Sequence, residues 1–255
     1  MMHTFVGDMA LRSFGTGKSL LWVHGLGESS LCFESVIAQS ALKAYTHWLL
    51  DLPGYGRSRW AEPLSLPETA KLLAPVLELT GCCVVAGHSM GGVLAVMMAE
   101  QFGIDHIEAI VNIEGNLSLG DCQYSGRVAG CTEQDFLQWG RRELLDGLYH
   151  QGMVDEAHRG YYASMRLADP RSVYLHSNDL VALSEGETMI GRMESLDVPS
   201  YYLAGVPRGI CERSLELLSG SRISHDIVED SGHWPFLDRP ADFAEKLSDW
   251  LNRGG

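Results

Sequence analysis

The chain has 255 residues and is acidic: 19 Lys and Arg against 33 Asp and Glu give a net charge of −14 at pH 7 and a pI near 5.0. Such a field repels phosphate, so we expect neither a nucleic acid nor an anionic membrane surface as a partner. No stretch of about 18 apolar residues and no secretory leader is apparent, which predicts a cytoplasmic protein. The six cysteines are expected to be reduced.

Strand-like apolar runs alternate with amphipathic helical runs, the pattern of a mostly parallel sheet with helices on both faces. Residues 4–14 predict an antiparallel hairpin at the sheet edge. Helices are predicted over 28–41 and 67–79, after Ser89, and from Pro240 onward. The other predicted strands span 20–24, 46–51, 82–87, 107–113, 200–205 and 225–229.

The pentapeptide Gly87-His88-Ser89-Met90-Gly91 joins a predicted strand to a predicted helix. This pattern is typical of a sharp turn that strains the serine backbone and exposes its hydroxyl. Gly87 and Gly91 keep the turn free of colliding Cβ atoms. Ser89 is therefore the candidate nucleophile, and the neighbouring His88 is expected to point away and pack.

Two other loops follow predicted strands at the same end of the sheet. Residues 24–27, His-Gly-Leu-Gly, let backbone amides turn toward a bound carbonyl oxygen. We expect the N–H groups of Leu26 and Met90 to form an oxyanion hole there. Residues 231–235 lie between the last strand and the last helix, which makes His233 the candidate general base.

These loops together resemble the α/β hydrolase superfamily over nearly the whole chain. The resemblance implies an α/β fold with a mostly parallel, eight-stranded α/β hydrolase sheet flanked by helices. It also implies a helical cap inserted after the sixth strand. The four matching stretches, in the order of the family, are 24–27, 51–58 (Asp-Leu-Pro-Gly-Tyr-Gly-Arg-Ser), 87–92 and 232–235.

The expected division is a hydrolase core of residues 1–116 and 197–255 and a cap of residues 117–196. The cap segment contains no convincing strand. Its patterns predict helices after Thr132 and over 155–168, 171–183 and 187–196. Its aromatic side chains either line a mostly apolar pocket or pack the cap helices against the core.

A serine–histidine pair needs a third group to orient the imidazole. The family usually carries an Asp three residues past the glycine that ends the penultimate strand, but this position is Arg208, which offers donors only. The resemblance allows Glu114, at the end of the strand after the nucleophile helix. Glu212 is an alternative acid and Asp230 a third; a triad without an acid also stays open.

The sequence and its resemblance predict a cofactor-free, carboxylesterase-like serine hydrolase that forms an acyl-enzyme on Ser89. The expected substrate is a small, largely apolar ester, thioester or activated carbon–carbon compound. No metal-binding or dinucleotide motif is present, so neither a metal nor a cofactor is expected. The alternative is a catalytically weak ligand-binding or sensor protein, which Arg208 in the acid position favours. Lyase or acyltransferase chemistry on the same residues also stays open.

Overall fold

Eight strands form one sheet in the computed structural model, which describes residues 2–254. In space their order is 1-2-4-3-5-6-7-8; the second strand pairs antiparallel with the first and the fourth, and all other neighbours are parallel. They are β1 (Met2–Val6), β2 (Met9–Gly15), β3 (Lys18–Val23), β4 (Tyr45–Leu50), β5 (Cys83–His88), β6 (Ile107–Ile113), β7 (Ser200–Arg208) and β8 (Ser224–Gly232).

The predicted sheet, including the antiparallel hairpin at its edge, is confirmed. β6 occupies the predicted residues, and every residue of β5 is buried, as expected for a parallel strand covered on both faces. β7 and β8 both continue past their predicted ends, to Arg208 and Gly232, and these two residues pair with each other. The extension of β8 brings its end to the residue before His233.

Helices cover both faces of the sheet and fill the long connection between β6 and β7. Within residues 2–254, no helix combines the length and hydropathy of a membrane span. The helices are α1 (Glu34–Ile37), α2 (Leu66–Leu72), α3 (Ala74–Thr80), α4 (Met90–Phe102), α5 (Gln123–Ala129), α6 (Glu133–Asp135), α7 (Arg141–Gly152), α8 (Glu156–Met165), α9 (Pro170–Glu185), α10 (Met189–Glu194), α11 (Glu212–Ser219), α12 (Pro235–Asp238) and α13 (Pro240–Asn252), with 3-10 turns at Ser30–Phe33, Ser40–Leu42 and Leu119–Asp121 and a π-helical turn at Phe136–Gly140.

Two predicted helices are wrong in extent. The segment 28–41 holds only α1 and two 3-10 turns. Its start is bent by contacts with other loops, because Ser30 N–H donates to the buried Asp51. The segment 67–79 divides into α2 and α3, since Pro75 has no N–H for a continuous helix and its ring clashes with the preceding turn.

The connection between β6 and β7 folds back over the loops at the carboxyl ends of β3 and β4. Asp169 N–H donates to Gly54 O over 2.7 Å. The Tyr55 hydroxyl lies 2.8 Å from His176 Nδ1 on α9. Met165 on α8 packs against Gly27, where an added Cβ would lie 2.1 Å from its Cε atom. This helical segment therefore packs on the loops that follow β3 and β4.

The turn from β5 to α4 has the strained geometry that its glycines predict. Ser89 has φ 51° and ψ −118°, a conformation that non-glycine residues rarely adopt. A Cβ on Gly87 would lie 2.0 Å from Gly91 O, and one on Gly91 would lie 2.1 Å from Val23 O. Backbone thus packs on backbone at both positions, and Ser89 is held at the end of β5 where α4 begins.

We predict that Gly91→Ala lowers the free energy of unfolding by about 3 kcal/mol, because the new methyl group collides with the backbone of β3. Gly147→Ala is the matched control, since a Cβ at Gly147, on α7, meets no atom within 4 Å. That change should raise the free energy by about 0.5–1 kcal/mol through helix propensity. Chemical denaturation measures both; equal effects would contradict the close packing of the turn.

Candidate active site

Ser89 and His233 line one small cavity at the carboxyl ends of the strands. The cavity has a volume of about 30 Å³ and is walled on one side by Tyr161 and Leu180, from α8 and α9. A second cavity of about 100 Å³ lies beside it and shares His233 and Trp234 as lining residues.

Glu114 is the carboxylate that meets the His233 ring. Its Oε2 atom lies 3.2 Å from His233 Nδ1, and its Oε1 atom accepts hydrogen bonds from Gly205 N–H at 2.5 Å and Ile210 N–H at 3.1 Å. Glu114 directly follows β6, has φ 53° and is buried. The backbone donors of the neighbouring strand and its exit loop therefore fix the carboxylate with one oxygen facing the imidazole.

The other acidic candidates lie elsewhere. Glu212 is exposed at the start of α11, and Asp230 is exposed near the end of β8 with φ 55°. Within residues 2–254 neither side chain hydrogen-bonds His233. Arg208 is two-thirds exposed and lies 4.0 Å from Asp238, facing the second cavity. The structure thus brings Glu114, and neither of the other two, to the imidazole.

The N–H groups of Leu26 and Met90 lack hydrogen-bond acceptors within residues 2–254, although both residues are buried. Met90 is the first residue of α4, where an N–H has no acceptor inside the helix. Leu26 lies between the end of β3 at Val23 and the 3-10 turn that begins at Ser30. Buried backbone donors without a partner are rare in folded proteins. Leu26 also lines the Ser89 cavity.

Ser89 Oγ and the His233 ring share no hydrogen bond within residues 2–254, although they line the same cavity. The bond between a nucleophile and its base is often long when no substrate is bound. The two loops are nevertheless joined, because His88 Nε2 donates to His233 O over 2.8 Å. His88 is buried, as expected, but it also lines the cavity at Ser89.

Sequence reasoning missed the role of Glu28, which is buried and lines the cavity. Its Oε2 atom accepts from Gly25 N–H at 2.7 Å and lies 2.9 Å from His88 Nδ1. Its Oε1 atom accepts from the Trp234 indole at 2.5 Å. One carboxylate thus joins three loops: 24–27, the turn at Ser89 and the loop that carries His233. The only sequence signal was an acidic residue beside the segment 24–27.

A model of the Alpha/beta hydrolase family matches residues 20–246. The chain belongs to this family. It is 28% identical over 250 residues to the pimeloyl-(acyl-carrier protein) methyl ester esterase of Sodalis glossinidius (strain morsitans), an alignment that covers 92% of this chain and 95% of the relative.

Two further comparisons agree with this assignment. Identity to the 2-succinyl-6-hydroxy-2,4-cyclohexadiene-1-carboxylate synthase of Yersinia pseudotuberculosis is 23%, with 93% of this chain and 88% of the relative aligned. A thermophilic esterase from Thermogutta terrifontis superposes with a TM-score of 0.76 at 20% identity, over 96% of this chain and 93% of that structure, which shows the shared fold. The protein is thus an enzyme with the α/β hydrolase fold.

In this α/β hydrolase the buried Glu28 remains a carboxylate. Burial opposes the ionisation of Glu28. The electrostatic attraction of the His88 ring and the hydrogen bond with that ring together outweigh this cost of burial. With the donors of Trp234 and Gly25 they lower the pKa of Glu28 from 4.5 to about 2. Because the pKa is depressed on folding, the carboxylate stabilises the fold fully above pH 4.5, and this contribution is lost as the pH falls toward 2.

The pKa of His233 is shifted the other way. Burial disfavours the charged ring, but the hydrogen bond and charge of Glu114 outweigh it. The more distant charges of Glu28 and Asp121 add to them, so the pKa of His233 is raised above its ordinary 6.5. The ring is therefore a stronger base than a free imidazole.

Within residues 2–254, no cluster of His, Cys, Asp or Glu side chains could hold a metal ion.

We predict that Glu28→Ala lowers the free energy of unfolding by about 3–5 kcal/mol, the cost of removing one member of a buried pair and leaving its partners unsatisfied. The control is Glu245→Ala, an exposed residue on α13, for which we expect a change within about 0.5 kcal/mol. Thermal and urea unfolding at pH 7 measure both. A loss below about 1 kcal/mol for Glu28→Ala would contradict the joining of the three loops.

Proposed function

We propose that this enzyme is a serine hydrolase in which Ser89 attacks the carbonyl carbon of a small, largely apolar ester or thioester. The observation that carries the proposal is the Glu114–His233 contact of 3.2 Å beside the strained Ser89 turn. A carboxylate that accepts from Nδ1–H fixes the ring tautomer. His233 Nε2 is then free to accept the Ser89 proton.

In the first step the Ser89 oxygen bonds to the carbonyl carbon while its proton passes to His233 Nε2. The alcohol or thiol leaves with that proton, and the acyl group remains on Ser89. A water molecule then gives a proton to the same nitrogen and attacks the acyl carbon. The carboxylic acid departs, and Ser89 regains its proton. Glu114 stabilises the imidazolium that forms in both steps and is itself not protonated.

The N–H groups of Leu26 and Met90 are proposed to form the oxyanion hole. Both are buried and lack acceptors within residues 2–254, which leaves them available for the negative oxygen of the tetrahedral intermediate. Donors held in place by the fold need no reorganisation when that charge appears. Each such donor is typically worth about 3 kcal/mol of transition-state stabilisation.

Residues 117–196 are proposed as the cap and residues 1–116 and 197–255 as the catalytic core. Tyr124, Tyr161 and Leu180 of the proposed cap wall the Ser89 cavity, which favours a largely apolar acyl or leaving group. The esterase among the relatives is named for an acyl methyl ester, and this agrees with ester hydrolysis here. The synthase among the relatives is named for a different activity. An activated carbon–carbon compound therefore stays open as a second class of substrate to assay.

The alternative of a catalytically weak binding protein drew its support from Arg208. Because Glu114 meets His233, the arginine no longer implies a missing acid. A fluorophosphonate probe distinguishes the two functions, since an activated serine reacts with it and an idle serine does not. We expect covalent labelling of the wild-type protein at Ser89.

Ser89→Ala should abolish both probe labelling and turnover of a p-nitrophenyl acyl ester, a loss of about 10⁴-fold or more in kcat. The fold should persist, because the small side chain fits the same turn. Ser35→Ala, an exposed serine on α1, serves as the control and should leave both readouts unchanged. Turnover by Ser89→Ala at the wild-type rate would remove Ser89 from the mechanism.

Glu114→Gln should lower kcat by about 10³–10⁴-fold while the protein stays folded. The variant's Oε1 atom can still accept from Gly205 and Ile210, which turns the amide N–H₂ toward His233 Nδ1. The imidazole then carries its proton on Nε2, where it cannot accept from Ser89. Glu212→Gln, at an exposed position, is the matched control and should retain activity.

The pH profile of kcat/KM gives a second readout of the same pair. Activity requires the neutral ring, so it should rise with pH through the pKa of His233, which lies above 6.5. In Glu114→Gln the residual activity should follow a lower pKa, because the carboxylate that stabilises the charged ring is gone. An unchanged profile would argue against Glu114 as the orienting acid.

A further inference from the structure

Asp121 is an acidic residue beside the catalytic pair that the proposed proton transfers leave unused. It is the last residue of the 3-10 turn Leu119–Asp121, which follows β6, and it is half-buried. It lines both of the cavities that His233 lines. A carboxylate at this place needs an account of what holds it and what it holds.

Four hydrogen bonds reach the Asp121 carboxylate, and they come from two segments that are distant in sequence. Its Oδ2 atom accepts from the N–H groups of Leu117 at 2.9 Å and Ser118 at 3.2 Å, which belong to its own loop. Oδ2 also accepts from the Ser214 hydroxyl at 2.6 Å, and Oδ1 accepts from Cys211 N–H at 3.3 Å. Asp121 therefore joins the loop after β6 to the start of α11.

The residues just before α11 enclose the Glu114 carboxylate. Ile210, the neighbour of Cys211, donates its N–H to Glu114 Oε1 over 3.1 Å. Gly209 lies so close that an added Cβ would be 2.7 Å from the same oxygen. Because neighbouring residues share a peptide bond, a shift of Cys211 displaces the Ile210 donor. The anchoring of Cys211 therefore helps to fix the carboxylate that orients His233.

We propose that Asp121 is a positioning residue for the reaction: it holds the segment 209–211 against Glu114 and thereby keeps the Glu114–His233 contact in place. This inference rests on the proposed serine hydrolase function and assigns Asp121 no contact with the substrate. The competing role is local, because Asp121 and Ser118 also form a capping box around their own turn. The two roles differ in whether the effect of Asp121 passes through Glu114.

Asp121→Asn separates the link to α11 from the local cap. The single amide oxygen takes the place of Oδ2, where three donors meet. The N–H₂ group then faces the Cys211 N–H, and two donors cannot bond each other. We expect kcat for a p-nitrophenyl acyl ester to fall about 10–50-fold, because a small displacement of a catalytic group is enough for such a loss. KM should change less than about threefold, since the proposed role lies in the chemical step.

The decisive comparison repeats this substitution in a Glu114→Gln background. If Asp121 acts through Glu114, the carboxylate that it positions is already gone, and Asp121→Asn should cost less than about twofold more in kcat. Effects that are independent would multiply instead, and the same 10–50-fold loss would appear in both backgrounds. That result would overturn the positioning role.

Asp179→Asn is the matched control. Asp179 on α9 is likewise half-buried and accepts a backbone N–H from a distant segment, that of Leu66 over 2.8 Å. Because this link does not lead to Glu114, the same substitution should leave kcat within about twofold in either background.

Ser214→Ala breaks the link from the other side and tests it even if Asp121→Asn does not fold. The Asp121 carboxylate loses the hydroxyl donor and keeps its charge. We expect kcat to fall about 3–10-fold, the effect of one hydrogen bond. This loss should again disappear in the Glu114→Gln background.

The pH profile of kcat/KM adds a second readout. Burial lowers the pKa of His233, and the charges of Glu114, Glu28 and Asp121 raise it. Asp121→Asn removes one of these charges and loosens the contact with Glu114, so this pKa should fall and activity should rise at lower pH. Ser214→Ala removes no charge, so any fall in its profile must come from a weaker Glu114–His233 contact. Unchanged profiles in both variants would contradict the proposal.

The outcomes keep this inference apart from the function on which it rests. If Ser89-dependent turnover and probe labelling are present but the Asp121→Asn loss does not depend on Glu114, the positioning role is wrong and the hydrolase stands. If the wild-type protein neither hydrolyses the ester nor takes up the fluorophosphonate probe, the serine hydrolase fails and the positioning role fails with it. A loss in Asp179→Asn as large as that in Asp121→Asn would also overturn the inference, because any half-buried carboxylate would then matter alike.

Discussion

The buried carboxylate of Glu28 is the contact that the arrangement of the three loops depends on. It accepts hydrogen bonds from Gly25 N–H and the Trp234 indole and lies against His88 Nδ1. His88 in turn reaches the carbonyl of His233 with its other ring nitrogen. Both nitrogens of the ring therefore face acceptors, which fixes its orientation. Because loops move more readily than strands, a shared buried anchor is what sets their relative positions.

Two of the four non-glycine residues with positive φ in residues 2–254 are Ser89 and Glu114, the proposed nucleophile and acid. Each directly follows its strand, β5 for Ser89 and the adjacent β6 for Glu114, and both have φ angles near 50°. Each is tied to the next strand, Ser89 N–H to Ile113 O and Glu114 N–H to Leu203 O. Such conformations cost about 1–3 kcal/mol each and persist only where the surroundings fix them. In this enzyme the parallel ladder fixes them, so the two residues lie at the ends of neighbouring strands.

The acid illustrates how local sequence and tertiary placement differ. The position at which the resemblance places the acid is Arg208, the last residue of β7, which lies near Asp238 and the second cavity. The sequence left Glu114, Glu212 and Asp230 open, because the distance from a carboxylate to a distant imidazole depends on the sheet order. Neighbouring β6 and β7 bring Glu114 under the backbone donors of Gly205 and Ile210. No periodicity in the chain encodes that contact.

By itself the sequence determined that the sheet is mostly parallel and that a sharp turn lies at Ser89. Alternating apolar runs and obligatory glycines act over only a few residues, so they can be recognised locally. It also pointed to His233, through a loop between the last strand and the last helix. It failed on 28–41 and 67–79, where loop contacts and Pro75 override helical periodicity. Only the tertiary structure decided the partner of His233 and the anchoring by Glu28. Hydrogen bonds between residues about a hundred positions apart leave no mark on local composition, since they exist only once the strands have paired.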